Sequence, residues 1–135
     1  MSPRSDRRRL AVLGGLAAVL AAVVAPGLAS ARPAFEHITM DRSAPADGEK
    51  VAGQVAEIRL FFSGAPLMRG ASVRVVNSAR SLMRSSPPAA DADDPKQLFV
   101  SIDPPLPPGA YVVQWRCIAD DGHVMRGDFT FEVTG

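Results

Sequence analysis

The sequence predicts an all-β fold, a two-sheet Greek-key sandwich or barrel of about seven strands, and three observations carry that prediction. No stretch after Arg32 sustains a 3.6-residue apolar period. Apolar residues instead recur at every second position in several segments, the spacing that turns one side of a strand into a core and the other into water. Proline or glycine interrupts the chain every few residues, which keeps each element short and supplies the turns between them.

Taken in order, Ile58, Leu60 and Phe62 alternate with Arg59 and Phe61, then Val73 and Val75 alternate with Arg74. Leu98, Val100 and Ile102 alternate with Phe99 and Ser101. The longest predicted strand runs from Ala110 to Ile118, with Tyr111, Val113, Trp115 and Cys117 on one face and Val112, Gln114, Arg116 and Ile118 on the other. Phe129, Phe131 and Val133 alternate with Asp128, Thr130 and Glu132 to close the chain. Turns are expected at Pro45-Ala46-Asp47-Gly48, Pro107-Pro108-Gly109 and Asp121-Gly122, where Pro presets φ and Gly accepts φ > 0. Ser81 to Lys96, with Pro87-Pro88 and the acidic Asp91, Asp93 and Asp94, reads as a mobile polar loop carrying solvated charge. Its acidic spacing lacks the Gly and the terminal Glu of a calcium loop.

The 135 residues give room for one domain. Residues 1–31 read as a cleavable export signal: Arg4, Arg7, Arg8 and Arg9 form a positive start, Leu10 to Ala25 an uncharged apolar run, and Ala29-Ser30-Ala31 a small-x-small cleavage pattern. The run is shorter than the roughly 20 residues that span a bilayer. Arg7-Arg8 followed by Leu10 also permits a twin-arginine signal. Removing 31 residues, four arginines and one aspartate among them, leaves a domain of 104 residues (32–135) with 11 basic and 13 acidic side chains, so the formal charge of +1 becomes −2. Neither nucleic acid nor an acidic polymer is selected by such a balance. Cys117 is the only cysteine, so an oxidising destination brings no intramolecular disulfide.

Chemistry has few residues to draw on. There is no nucleophile elbow, phosphate-binding Gly-rich loop or Cys-x-x-Cys pair, and the chain reads as a non-enzyme. His37 and His123 are the two histidines. Asp121 and His123 are two apart, so on an extended backbone both leave the same face and could chelate one ion. Asp-Gly is also a common hairpin turn, after which His123 would be a solvated residue, and His37 a partly exposed strand residue.

At this point the residues resemble a family. His37 is followed by Pro45-Ala46-Asp47-Gly48 and Leu60-Phe61-Phe62-Ser63; later come Pro105-Leu106-Pro107-Pro108-Gly109-Ala110-Tyr111, Trp115-Arg116 and Asp121-Gly122-His123, with Gly127 and Phe131 beyond. This combination, covering His37 to Val133, resembles the CopC family of periplasmic copper-binding (copper resistance) proteins. The resemblance implies a seven-stranded Greek-key sandwich, cupredoxin-like or immunoglobulin-like in outline. It further implies a periplasmic monomer that binds Cu(II) without catalysis and delivers it to an inner-membrane transporter partner. By matching motifs, the implied Cu(II) ligands are His37, Asp121 and His123, a nitrogen and oxygen set suited to Cu(II).

One departure is expected to matter. In much of the family the first His is the mature N-terminus and binds copper through its amine as well; here Arg32-Pro33-Ala34-Phe35-Glu36 precedes His37. The amine ligand is then lost, Glu36 or water completes the sphere, and weaker Cu(II) binding follows. Some family members also carry a Met-rich Cu(I) site, but Met40, Met68, Met83 and Met125 are scattered singly, and Met40 and Met125 read as core-gap fillers or surface residues. Cys117 reads as a buried core thiol, Trp115 as a core anchor, and Arg116 as either paired with an acid or exposed. The alternative reading of the whole chain is an exported immunoglobulin-like interaction module that binds no metal.

Overall fold

The computed structural model describes residues 37–135. The expected signal (1–31), its cleavage point and Arg32 to Glu36 lie outside the described residues. Eight strands form among those described: β1 (Met40–Ala44), β2 (Glu49–Ala52), β3 (Val55–Phe62), β4 (Leu67–Asn77), β5 (Ala89–Ala90), β6 (Gln97–Leu106), β7 (Gly109–Ile118) and β8 (Val124–Thr134). They make two four-stranded sheets, in the orders β1-β3-β6-β5 and β2-β8-β7-β4. The expected all-β sandwich is therefore present, with β2 and β8 as a parallel pair at one edge.

The two-residue alternation places the core. Ile58 and Leu60 of β3 face Val100 and Leu98 of β6 in register, and Val75 of β4 faces Val113 of β7. All of these are buried between the sheets, as are Val133 and Cys117. Removing such side chains from water is the main stabilising term in a domain with no disulfide, at about 1.5–3 kcal/mol for each large aliphatic residue. Tyr111 stacks on Phe131 at 5.5 Å between centroids, and its hydroxyl donates to the Pro107 carbonyl at 2.6 Å, tying the β6–β7 turn to the sheet. Trp115 meets Phe62 of the opposite sheet edge-on at 5.5 Å. Its Nε1–H is buried without a partner, so packing alone holds the indole. Met40, Met83 and Met125 are partly buried against this core.

Three differences from the sequence reading have physical causes. Strands β1 and β2 were not expected, because edge strands bury little and so show little alternation: only Ser43 of β1 is buried, and Glu49, Lys50 and Ala52 of β2 are exposed. Ser81 to Lys96 is not an unpaired loop. It pairs through β5 with β6 and through bridges from Leu82 to Val76 and from Ser85 to Ile102. Asp91 is not solvated loop charge either. Its Oδ2 accepts from Arg59 Nη1 at 2.8 Å, and its Oδ1 accepts from the N–H groups of Asp93 and Asp94 at 2.9 and 3.2 Å. These bonds hold its carboxyl below the usual carboxylate value, with Arg59 the main cause.

Candidate metal centre

At one end of the sandwich the loop between β7 and β8 comes beside the segment that enters β1. The β7–β8 ladder runs to the pair Ile118 and Val124; beyond it the chain reverses with bonds from Gly122 N to Ala119 O and from Ala119 N to His123 O, both 2.9 Å. The reversal needs φ of +89° at Gly122, a backbone region that costs glycine nothing. The other segment is pinned by two bonds to the end of β3, Thr39 N to Ser63 Oγ at 3.0 Å and Ser63 N to Thr39 O at 2.9 Å. His37 is thereby carried from the β1 sheet to the tip of the β7–β8 hairpin.

There, ligand atoms of His37, Asp121 and His123 lie within 4.8 Å of one another. The two imidazoles meet edge to face, with centroids 5.3 Å apart and planes at 73°. Asp121 and His123 converge for a different reason than the one the sequence suggested. They lie in the loop rather than on an extended strand, and hydrogen bonds bring them together: Asp121 Oδ1 accepts from the His123 backbone N–H at 3.0 Å and Oδ2 pairs with His123 Nδ1 at 2.6 Å. The backbone bond and then the ring bond hold the Asp121 carboxyl below its ordinary value. An ionised carboxylate can only accept, so Nδ1–H donates to it here, and an ion shared by Asp121 and His123 would take the place of that proton between the two side chains.

The donor set fits a borderline metal ion. Two atoms each about 2 Å from one ion are at most about 4 Å apart, so a spread of 4.8 Å leaves under an ångström of side-chain adjustment to reach a common ion. Imidazole nitrogen with carboxylate oxygen suits Cu(II), Zn(II) or Ni(II) better than a hard cation. Counting backbone and side chain together, all three residues are exposed. The His123 side chain is 68% exposed, whereas that of Asp121 is 15%, so the carboxylate is sheltered and the outer imidazole open to exchange.

Other candidates fall outside the cluster. Cys117 is buried and packs in the core, with burial pushing its thiol up to about 11. Among the described residues Arg116 pairs with no acid; its Nη1 donates to the Gly70 carbonyl at 2.6 Å. Close packing behind the hairpin was missed in the sequence. A methyl group on Gly127 would stand 2.8 Å from Cζ2 of the Trp115 indole, a constraint that a lone glycine in an alternating segment hardly signals.

The likeness to known proteins spans the whole sandwich. The CopC domain model matches residues 40–134. Copper resistance protein C of Pseudomonas syringae pv. tomato is 32% identical over 114 residues, covering 81% of this chain and 90% of that protein. Its namesake in Xanthomonas campestris pv. juglandis is 34% identical over 116 residues, covering 82% and 90%. Among solved structures, the methionine-rich copper resistance protein PcoC from Escherichia coli superposes with a TM-score of 0.65 at 28% identity, covering 73% of this chain and 99% of that one. CopC from Methylosinus trichosporium OB3b gives 0.66 at 28% identity, covering 72% and 93%. With a domain match that runs from β1 through β8 and relatives aligned over most of their own length, the chain belongs to the CopC family.

Proposed function

We propose that this protein is an exported copper carrier that binds one Cu(II) ion through His37, Asp121 and His123 and takes part in copper resistance or delivery. The observation that carries the reading is the meeting of three ligand-bearing side chains from opposite ends of the described chain, within 4.8 Å, in a protein of this family. Relatives named for copper resistance supply the metal; the nitrogen and oxygen donors favour its divalent state. The ion is cargo. Asp121 orients the His123 ring, and the exposed imidazoles let the metal enter and leave.

Export through cleavage after Ala31 and hand-over to an inner-membrane transporter complete the proposal. If cleavage falls there, Arg32 to Glu36 keep the α-amine away from His37, and the three side chains plus water make a site of modest affinity. Titration of the exported protein with Cu(II), followed by its paramagnetic spectrum, tests the reading: one equivalent with nitrogen coupling is expected, lost in His123→Ala. Absence of stoichiometric nitrogen-bound copper in the parent would leave an interaction module that binds no metal. The intact mass of the exported form reports the N-terminus, and a chain beginning at His37 would overturn the prediction of a weak site.

A further inference from the structure

The outward face of the β4-β7-β8 sheet carries an arrangement that stability does not explain. Arg116 stands directly opposite Arg126 in the β7–β8 ladder, and Ser72 flanks Arg116 from β4. One row along, Arg74, Gln114 and Asp128 line up in the same way. Side chains in directly opposed positions have Cβ atoms about 4.5–5.5 Å apart, and like charges there are destabilising. Among the described residues the ion pairs are Lys50–Glu132, Arg59–Glu57, Arg59–Asp91 and His123–Asp121. None of the three arginines on this face is neutralised, and Asp128 makes no ion pair. Together these side chains border an open recess of about 400 Å³.

We propose that this face is a docking surface for an acidic segment of a partner protein. Guanidinium groups present planar donor forks that match carboxylates two bonds at a time. Two exposed forks, Arg74 and Arg126, with the charge of Arg116 between them although its Nη1 is taken by the Gly70 carbonyl, suit an extended segment whose carboxylates recur every second residue, about 6.6–6.8 Å apart. The recess is open, and Arg74, Gln114, Arg126 and Asp128 are all exposed, whereas sites for small ligands enclose most of the ligand. Asp128 adds one charge of opposite sign at the edge, which gives a partner a register. Arg126 lies three residues beyond His123 at the start of β8, about 10 Å along a strand, so a docked partner would sit beside the candidate metal centre. The inference concerns a protein partner and stands whether or not the metal reading does.

The test uses the metal-free exported protein, isotopically labelled, titrated at low salt with a capped hexaglutamate peptide and separately with inorganic phosphate. Amide shifts concentrated at Ser72, Arg74, Gln114, Arg126 and Asp128, suppressed by salt and at least ten-fold weaker in Arg74→Glu/Arg126→Glu, are expected. That variant replaces like-charge neighbours by opposite charges, so its melting temperature is expected to hold or rise. The shift map on the parent decides even if it does not. Shifts scattered over the molecule, equal affinity in the variant, or phosphate binding as tightly as the peptide would each overturn the proposal.

Discussion

Asp121 divides its two carboxylate oxygens between two donors of one residue, Oδ1 taking the backbone N–H of His123 at 3.0 Å and Oδ2 its ring Nδ1 at 2.6 Å. The same side chain thus shapes the loop and holds the His123 ring beside its own carboxylate, where one ion can meet both. Replacement by asparagine keeps one acceptor and turns the other into an NH2 donor, which cannot accept from Nδ1. Asp121→Asn is therefore expected to weaken Cu(II) binding about 10–100-fold, the usual cost of losing a partner that orients a ligand. Competition against a chelator of known affinity measures it, and unchanged affinity would show that Asp121 neither ligates nor orients.

Gly127 faces the Trp115 indole across the β7–β8 ladder. Its backbone is outside the left-handed region, so the constraint is space alone: a Cβ would lie 2.8 Å from Cζ2 and 3.0 Å from Cε2 and Nε1. Gly127→Ala is expected to destabilise the fold by about 1–3 kcal/mol, the range for overpacking. Trp115→Phe removes the crowded ring together with a donor that has no partner, so the double variant should recover part of the loss in urea unfolding. Strictly additive losses would mean the indole is not the obstacle.

The Arg59–Asp91 pair predicts an acid dependence. Bonding to Arg59 lowers the folded-state pKa of Asp91, so its stabilising effect is complete above the unfolded carboxyl value of about 3.9 and is lost as pH falls through the lower folded value. Asp91→Asn should lower the melting temperature at pH 6–7, and the gap should close below about pH 4. A gap that is constant with pH would mean the carboxylate charge contributes nothing.

Cys117 is 1% exposed, and burial raises its thiol to about 11. Because the thiolate is the reactive form, the native protein should resist maleimide at pH 7 for hours and label fully in concentrated urea. Rapid native labelling would place the thiol at the surface.

Most of the frame was legible in the sequence because a sandwich core writes itself as alternation. Ile58, Leu60, Val75, Leu98, Val100 and Val113 are buried where the two-residue period put them. The edge strands β1 and β2 were not legible, since a strand that buries one side chain or none has no period to show. Asp91 was misread for a related reason: its partner Arg59 lies far along the chain, and no local pattern announces a long-range ion pair.

The candidate centre divides the same way. By itself the sequence determined which side chains were available, two histidines and a nearby Asp, and through its turn residues where the hairpin tip would fall. Only the tertiary structure decided that His37 reaches that tip, because the approach depends on how the segment before β1 is pinned to β3 and how the two sheets end together. It also decided how Asp121 and His123 meet. A strand would have aligned them by backbone geometry, but the loop aligns them by hydrogen bonds, and those bonds exist only once Gly122 has turned the chain.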